Sequence, residues 1–592
     1  MKYSSLLASW LKSEGYTTCF FVAGGGIMHL LDGFRTEFKC ISVIHEHSAG
    51  VCAEHFNECR TGNERAFALV TTGPGLTNIV TAIAGCYVEH RELLVISGQV
   101  KSTDLLEYPQ RQRGVQEIDA QGIVKNITVS SICLTQPIGK DHFISIVQTA
   151  SSPHPGPVVI EVCLDVQGMR VDANQLNIRK LGTPIPDVEL GSQLKILQKK
   201  IREAERPVLL FGGLLSRKTV SDYFSDLERL NIPCATTTSA IDRIPNDSKL
   251  YVGRTGTWGG QRAANLIIAQ ADLVISIGAQ LDLQQTGFNY ESFCPSAELI
   301  KVFPSNVELE RLGPKSEMQI NCNPDIFLKF FLSKVEWSDE FGWVQYKNNI
   351  LENFPALEQA NIRDTKLINP FIFLQNLSKA SDKNDILAFC SSGGTFTAAL
   401  QVSEIKREQI VTTSAAHASM GYGLATAIGA AFANPDRRII ATEGEGGFVQ
   451  NLQELALLKK HNLNIKLFVF DNSGYASIRA TQKKFFGGEY LGCDPDTGLS
   501  FPKWHLLFQA YDIPSETITL DNENVETLRS KLGLCDGPTA FIVKVDPDQA
   551  NWPAVATILK DDGRLESAPL FAMLPEITTD LMRKYGKYLE SK

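Results

Sequence analysis

The sequence predicts an α/β protein of three doubly wound parallel-sheet units, and three observations predict it. Short apolar runs alternate with stretches of helical periodicity almost from the first residue. The runs are apolar throughout instead of alternating with polar residues, as strands covered on both faces are. The pattern stops and restarts twice after polar, Pro-containing breaks, and 592 residues exceed what one core organises.

In chain order, Cys19–Val22, Ile41–Ile44, Phe67–Thr71, Leu93–Ser97 and Val158–Val162 read as strands of a first unit, 1–175. Helical periodicity covers His47–Thr61 and Leu76–Glu89 between them. A polar stretch at Leu181–Gly191 precedes a second unit, 190–340, with strands at Pro207–Phe211, Cys234–Thr237, Leu273–Gly278 and Glu298–Val302. Trp337, Asp339 and Asn353-Phe354-Pro355 mark the next break. The third unit, 355–560, carries Ile386–Cys390, Ile410–Thr413, Ile439–Thr442, Ile465–Asp471 and Ala540–Val545. A Pro-punctuated tail, 561–592, is expected to pack on the surface.

Bulk properties narrow the function. Hydrophobic residues at 43% and charged residues at 21% suit a globular chain. A formal net charge of −9 speaks against a nucleic-acid binder, which needs a basic surface. The 13 cysteines are dispersed from Cys19 to Cys535, with no CxxC pair and no zinc-type Cys/His spacing, and read as reduced thiols. The N-terminus lacks the apolar core of a signal peptide, and no run of ~18 apolar residues suits a membrane span. A cytoplasmic protein with no membrane partner is expected.

The chemistry-bearing residues concentrate in the third unit. One strand ends in Thr442-Glu443-Gly444-Glu445-Gly446-Gly447, a helical pattern follows over 451–458, and the next strand ends in Asp471-Asn472-Ser473-Gly474-Tyr475. Both clusters sit at the C-terminal ends of parallel strands, where open α/β sheets bind ligands. Gly444, Gly446 and Gly447 let backbone approach a phosphate, and a helix N-terminus offers free N–H groups. A carboxylate at one strand end and an amide oxygen at the next form an oxygen-rich nest suited to Mg²⁺.

Here the chain resembles the thiamine diphosphate enzymes, whose fingerprint is Gly-Asp-Gly, about 26 further residues, then Asn-Asn. Glu445 stands at the Asp position, and Asn472 lies 27 positions on. The resemblance implies metal ligands Glu445, Asn472 and the carbonyl of Gly474, with Tyr475 near the cofactor. The departure is Glu445, one methylene longer than the family's Asp. In Ser414-Ala415-Ala416-His417-Ala418-Ser419-Met420-Gly421, Ser419 and Met420 match the segment before the metal loop, Met420 at the residue that props the bent cofactor. Ser392, Gly393, Gly394 and Thr395 are implied to hold the diphosphate.

The first unit carries the partner half. Ile44-His45-Glu46-His47 matches the family's His-Glu-Gln, so Glu46 is implied as the catalytic carboxyl that hydrogen-bonds the pyrimidine N1′ and drives a proton relay. Read alone, Glu46 is better explained as a cap of the following helix. Gly24 and Gly25 of Ala23-Gly24-Gly25-Gly26, Thr72, Gly73 and Asn78 of the 71–78 segment, and Gln116 are implied to line the pyrimidine.

Within the family the chain is most similar to acetolactate-synthase-type enzymes. Arg111–Asp119, Asp242, Leu250–Arg254, Gly260–Asn265, Asp282 and Gln285-Thr286-Gly287 add a likeness to the branch associated with bacterial surface polysaccharides and unusual sugars. The resemblance implies a carboligase that decarboxylates a 2-oxo acid such as pyruvate. It passes the two-carbon unit to a carbonyl acceptor, an oxo acid or a keto-sugar nucleotide. It also implies a homodimer or homotetramer with active sites at the subunit interface. FAD in the second unit, lined by Gly253, Gly256 and Gln261, is a further possibility of that likeness, and His29, His47 and His417 are candidate acids. The competing readings are a simple 2-oxo-acid decarboxylase and a degenerate cofactor-binding scaffold. A nicotinamide enzyme is disfavoured because no GxGxxG opens a helix with an acidic residue ~20 positions on.

Overall fold

The computed structural model describes residues 1–106, 111–172, 176, 190–560 and 562–589. Of the polar break expected at Leu181–Gly191, 181–189 lie outside the described residues. The apolar runs form three six-stranded parallel sheets. The first contains β1 Tyr16–Phe21, β2 Lys39–Ser42, β3 Arg65–Val70, β4 Leu93–Gln99, β5 Ser130–Leu134 and β6 Pro157–Cys163. The second contains β7 Pro207–Phe211, β8 Cys234–Thr236, β9 Tyr251–Arg254, β10 Leu273–Ile277, β11 Glu298–Phe303 and β12 Met318–Asn321. The third contains β13 Ile386–Phe389, β14 Ile410–Thr412, β15 Ile439–Gly444, β16 Ile465–Asp471, β17 Ser515–Ile518 and β18 Thr539–Lys544.

The orders are β2-β1-β3-β4-β6-β5, β12-β11-β10-β7-β8-β9 and β14-β13-β15-β16-β18-β17. In each sheet the order first turns back across one adjacent pair: β1 and β3, β7 and β10, and β13 and β15. Such a switch point opens a crevice beyond the carboxyl ends of the two strands. The crevices of the first and third sheets are therefore fixed by 22–26 with 71–73, and by 390–395 with 444–447.

Three expectations need correcting. Four strands, β5, β9, β12 and β17, lacked a buried-strand signal; all are edge strands, and three of them are largely half-exposed. The helix expected over 451–458 is broken. Glu445–Phe448 forms one turn, Leu452–Glu454 a 3₁₀ turn, and the helix proper is Leu455–Lys460. The interruption falls where the Asn451 amide donates to the Gly421 carbonyl at 2.8 Å and pairs with His47 Nδ1 at 3.1 Å. The tail is more than a surface strap: Leu570, Met573 and Tyr585 are buried against the second unit, and Arg262 donates to the Met573 carbonyl at 2.7 Å.

The first and third units share one core. Helix Glu46–Cys59 lies on helix Tyr422–Ala433, and a Cβ on Gly429 would stand 2.4 Å from the Cys52 carbonyl oxygen, so the helices meet backbone to backbone. Beside this contact lies a buried ionic network. Arg91 reaches Glu54 at 2.9 Å, Glu89 at 3.7 Å, Glu58 at 3.8 Å and the Thr413 carbonyl at 2.7 Å. Arg217 reaches Glu58 at 2.8 Å, Asp242 at 2.6 Å and the Val411 carbonyl at 2.9 Å, and Arg243 also pairs with Asp242. The network thus touches all three units.

Four carboxylates face three guanidiniums here, and Glu54 absorbs the excess. Burial pushes its pKa up to about 7, against the opposing pull of Arg91. The folded protein therefore holds this proton to higher pH than the unfolded chain, and stability falls as pH rises from about 4.5 to 7. Glu54→Gln, which fixes the neutral state and keeps an oxygen for Arg91, is expected to remove that slope and to be ~1–3 kcal/mol less disadvantaged at pH 8 than at pH 5. Melting of both proteins across pH 5–8 checks this; parallel curves would refute it.

Candidate active site

The third sheet's switch point holds a cavity of about 300 Å³. Its walls come from four strand ends: Ser392–Thr395 after β13, Met420 after β14, Gly444–Gly447 after β15, and Asn472, Gly474 and Tyr475 after β16. The glycines have distinct tasks. Gly393, with φ +84, opens helix Gly393–Val402, and a Cβ there would meet nothing within 4 Å, so its open side is free for a ligand. The helix has no side-chain cap from Ser392, so its first N–H groups remain available to an anion. A Cβ on Gly446 would instead strike the Tyr475 ring at 2.2 Å, so Gly446 seats that ring.

Glu445 is buried, and its Oε1 accepts the N–H groups of Asn472 at 2.9 Å and Gly474 at 2.8 Å. The longer side chain therefore still spans β15 to β16. Burial pushes its pKa up to about 7, although those two N–H groups work the other way. Glu443, two residues earlier, is buried as well and pushed up to about 8, its Oε1 accepting from Leu424 N at 3.1 Å. Among the described residues no basic side chain forms an ion pair with either carboxylate. Buried carboxylates without a protein counter-charge favour a cation. Met420 is half-buried on the cavity wall, with its sulfur accepting from Gln450 at 3.5 Å, so it is no core methionine. Ser419 contributes its carbonyl to Ser391 Oγ and lies behind the wall.

The N-terminal residues assemble at the first sheet's switch point. Loop 23–26 lies on 71–73 so closely that a Cβ on Gly24 or Gly26 would strike Thr71 or Thr72 within 2.6 Å, whereas Gly25 faces open space. Gly73, at φ +62, lies against the Gln116 carbonyl, 1.9 Å from where a Cβ would be. Gln116 is itself exposed at φ +63, and Glu117 rather than Gln116 closes its loop, accepting from Gly114 N at 2.7 Å. Glu46 is not the helix cap: His45 holds that position, its Nδ1 accepting from His47 N. The Glu46 carboxylate instead accepts from Asn78 Nδ2 at 3.0 Å. Among the described residues, nothing from the first unit lines the C-terminal cavity.

Sequence reasoning missed three residues. Glu454 accepts the N–H groups of Ile44 at 3.2 Å and His45 at 3.0 Å, so the third unit clamps the segment that presents Glu46. Glu443 supports the cavity floor, and Arg479 packs behind Asn472. The sequence offered only nearness to the glycine motif as a signal for the first two. His47 is held down to about 4 by burial and by His45 and His417, which suits an acceptor for Asn451 and not an acid. In the second unit Gln261 is buried, its amide taken by Tyr251, Arg254 N and the Gln401 carbonyl, and a Cβ on Gly253 would strike it at 2.2 Å.

Fold and cavity together define the class: a three-sheet α/β protein with a glycine- and carboxylate-lined cavity at the switch point of its last sheet. Comparison with known proteins agrees in every unit. Family models of the thiamine pyrophosphate enzymes match residues 1–123 (N-terminal TPP binding domain), 194–330 (central domain) and 392–543 (C-terminal TPP binding domain). A probable acetolactate synthase large subunit of Methanocaldococcus jannaschii is 27% identical over 581 residues, covering 93% of both chains. The acetolactate synthase isozyme 1 large subunit of Escherichia coli K12 is 27% identical over 566 residues, covering 93% of this chain and 95% of its own. The chain belongs to the thiamine pyrophosphate (thiamine diphosphate) enzymes, and within them it is of the acetolactate synthase-like transferase type. Among the described residues no helix is long and apolar enough to cross a membrane.

Proposed function

We propose that the protein is a carboligase that uses thiamine diphosphate and Mg²⁺ to decarboxylate a 2-oxo acid, pyruvate, and to pass the two-carbon unit to a carbonyl acceptor. The acceptor class is an oxo acid or a keto-sugar nucleotide. The observation that carries the reading is the C-terminal cavity: an uncapped helix N-terminus on one wall, and on the other a buried carboxylate that, among the described residues, pairs with no cationic side chain. The residues present fit the cofactor. Glu445, the Asn472 side-chain oxygen and the Gly474 carbonyl are a hard-oxygen set for Mg²⁺. The N–H groups of Gly393, Gly394 and Thr395 suit a diphosphate.

When bound, the cofactor supplies the electron sink for the carbon that loses CO₂. The chain supplies position and protons. Met420, Tyr475 and Ile478 give the cavity apolar wall, which limits water around a bound cofactor. Glu46, oriented by Asn78, gives and takes the proton at the pyrimidine. Because Glu46 and the cavity are separate in one chain, the reading places each complete site between two copies, in a homodimer or homotetramer.

Titration of thiamine diphosphate into metal-free protein, with and without Mg²⁺, tests the reading, followed by pyruvate and detection of CO₂. Mg²⁺-dependent binding with CO₂ release is expected. Glu445→Asp should keep it, and Glu445→Ala should weaken the Mg²⁺-dependent part by at least about tenfold. A folded protein that binds no cofactor would refute the proposal. Acetaldehyde as the sole product with every acceptor offered would reduce it to a decarboxylase.

A further inference from the structure

Helix Ala476–Phe485 begins beside the β16 loop, and Arg479 in its first turn is the helix's one buried residue. Its guanidinium points back beneath the loop. Nη1 donates to the Ser473 carbonyl at 3.0 Å, and Nη2 to the Asn472 carbonyl at 2.8 Å, the Asn472 Oδ1 at 3.1 Å and the Pro547 carbonyl at 3.3 Å. Among the described residues no carboxylate forms an ion pair with it, so this buried cation is spent on neutral oxygens. The loop it holds is unfavourable by itself: Ser473 has φ +60 and Gly474 φ +151. Such backbone persists only where surrounding contacts over-determine it. A Cβ on Gly474 would stand 2.6 Å from Nη1 and 2.1 Å from the Cys493 carbonyl, so glycine at 474 is what admits the fork.

We propose that Arg479 is the positioning residue of the metal loop: its guanidinium fork sets the Asn472 amide and the 472–474 backbone so that their oxygens converge with Glu445 on one divalent cation. The inference rests on the function proposed above. An amide oxygen has two lone pairs. Nη2 takes one of Oδ1 and, because it can only donate, settles that oxygen and not nitrogen faces it. The other lone pair is left for the cation. Two effects oppose each other. A guanidinium so near the site repels a dication, whereas the fork removes the cost of ordering a strained loop. The structure favours the second, since three of the four contacts converge on Asn472 and Ser473 and the fourth ties the fork to the Pro547 carbonyl.

Mn²⁺ binding to full-length protein saturated with thiamine diphosphate, read from the free Mn²⁺ electron-spin resonance signal, separates the effects. Arg479→Gln is expected to weaken Mn²⁺ about 10–100-fold. Its metal-free melting temperature should stay within a few degrees of the parent. Arg479→Lys keeps the charge but not the fork and should lose affinity similarly. It is the deciding variant if Arg479→Gln does not fold. Unchanged or tighter Mn²⁺ binding by the folded glutamine variant, or parental affinity in the lysine variant, overturns the proposal. Failure of the parent to bind Mn²⁺ would instead strike the proposed function itself.

Discussion

Glu46→Gln is expected to lower turnover of the 2-oxo acid by about 10²–10⁴-fold while leaving affinity for thiamine diphosphate and Mg²⁺ within a few-fold of the parent. The substitution is nearly isosteric. The amide oxygen can still accept from Asn78 Nδ2, which lies 3.0 Å from the carboxylate, so the side chain keeps its orientation. What it loses is the proton that a carboxyl group exchanges and an amide does not. The surrounding backbone should not move either, because Glu454 clamps the N–H groups of Ile44 and His45 and His45 caps the helix. Turnover and affinity should therefore separate. Isothermal titration beside CO₂ release measures both. Full activity in Glu46→Gln would remove Glu46 from the proton path, and a parallel loss of binding would make it a structural residue of the pyrimidine half-site.

The central strands were legible because burial on both faces leaves a continuous apolar run: Pro207–Phe211 and Ile465–Asp471 coincide with their expected limits. Edge strands were not. Ser130–Leu134 and Ser515–Ile518 present one side to solvent and carry Ser, Cys, Glu or Thr, so their runs resemble loops. Gly253, at φ +117 within β9, similarly hid a strand whose pairing with β8 shifts register. The glycine and carboxylate motif of the cavity could be read because its spacing is local to two adjacent strands. Arg479 and Glu454 could not, since each acts through contacts that only the folded loops create. Two of the residues quoted from the second unit make contacts within that unit. Gln285 bonds Thr238, and the Asn265 amide bonds Thr255 and the Gly256 backbone.

The same logic makes Arg91 the side chain whose loss should most damage the fold. Its guanidinium is buried among Glu54, Glu58 and Glu89, and its Nη2 crosses to the Thr413 carbonyl in the third unit. Glu89 continues the link by accepting Ala416 N at 2.6 Å and Ser239 Oγ at 3.2 Å. Arg91→Met keeps much of the volume but strands Glu54 and Glu89 without their guanidinium, while Glu58 keeps Arg217. Breaking a buried pair in this way costs about 3–5 kcal/mol, much more than the pair contributes relative to an apolar substitute. Calorimetric melting at pH 8 should show that loss. Adding Glu54→Gln should recover part of it, because one of the stranded groups becomes a neutral amide. A loss below about 1 kcal/mol, or no recovery in the double variant, would show that water reaches the network. The effect should also extend to the active site, because Glu54 and Glu58 lie on the helix whose first residue is Glu46. A network that ties three units together thereby also bears on the helix that carries Glu46.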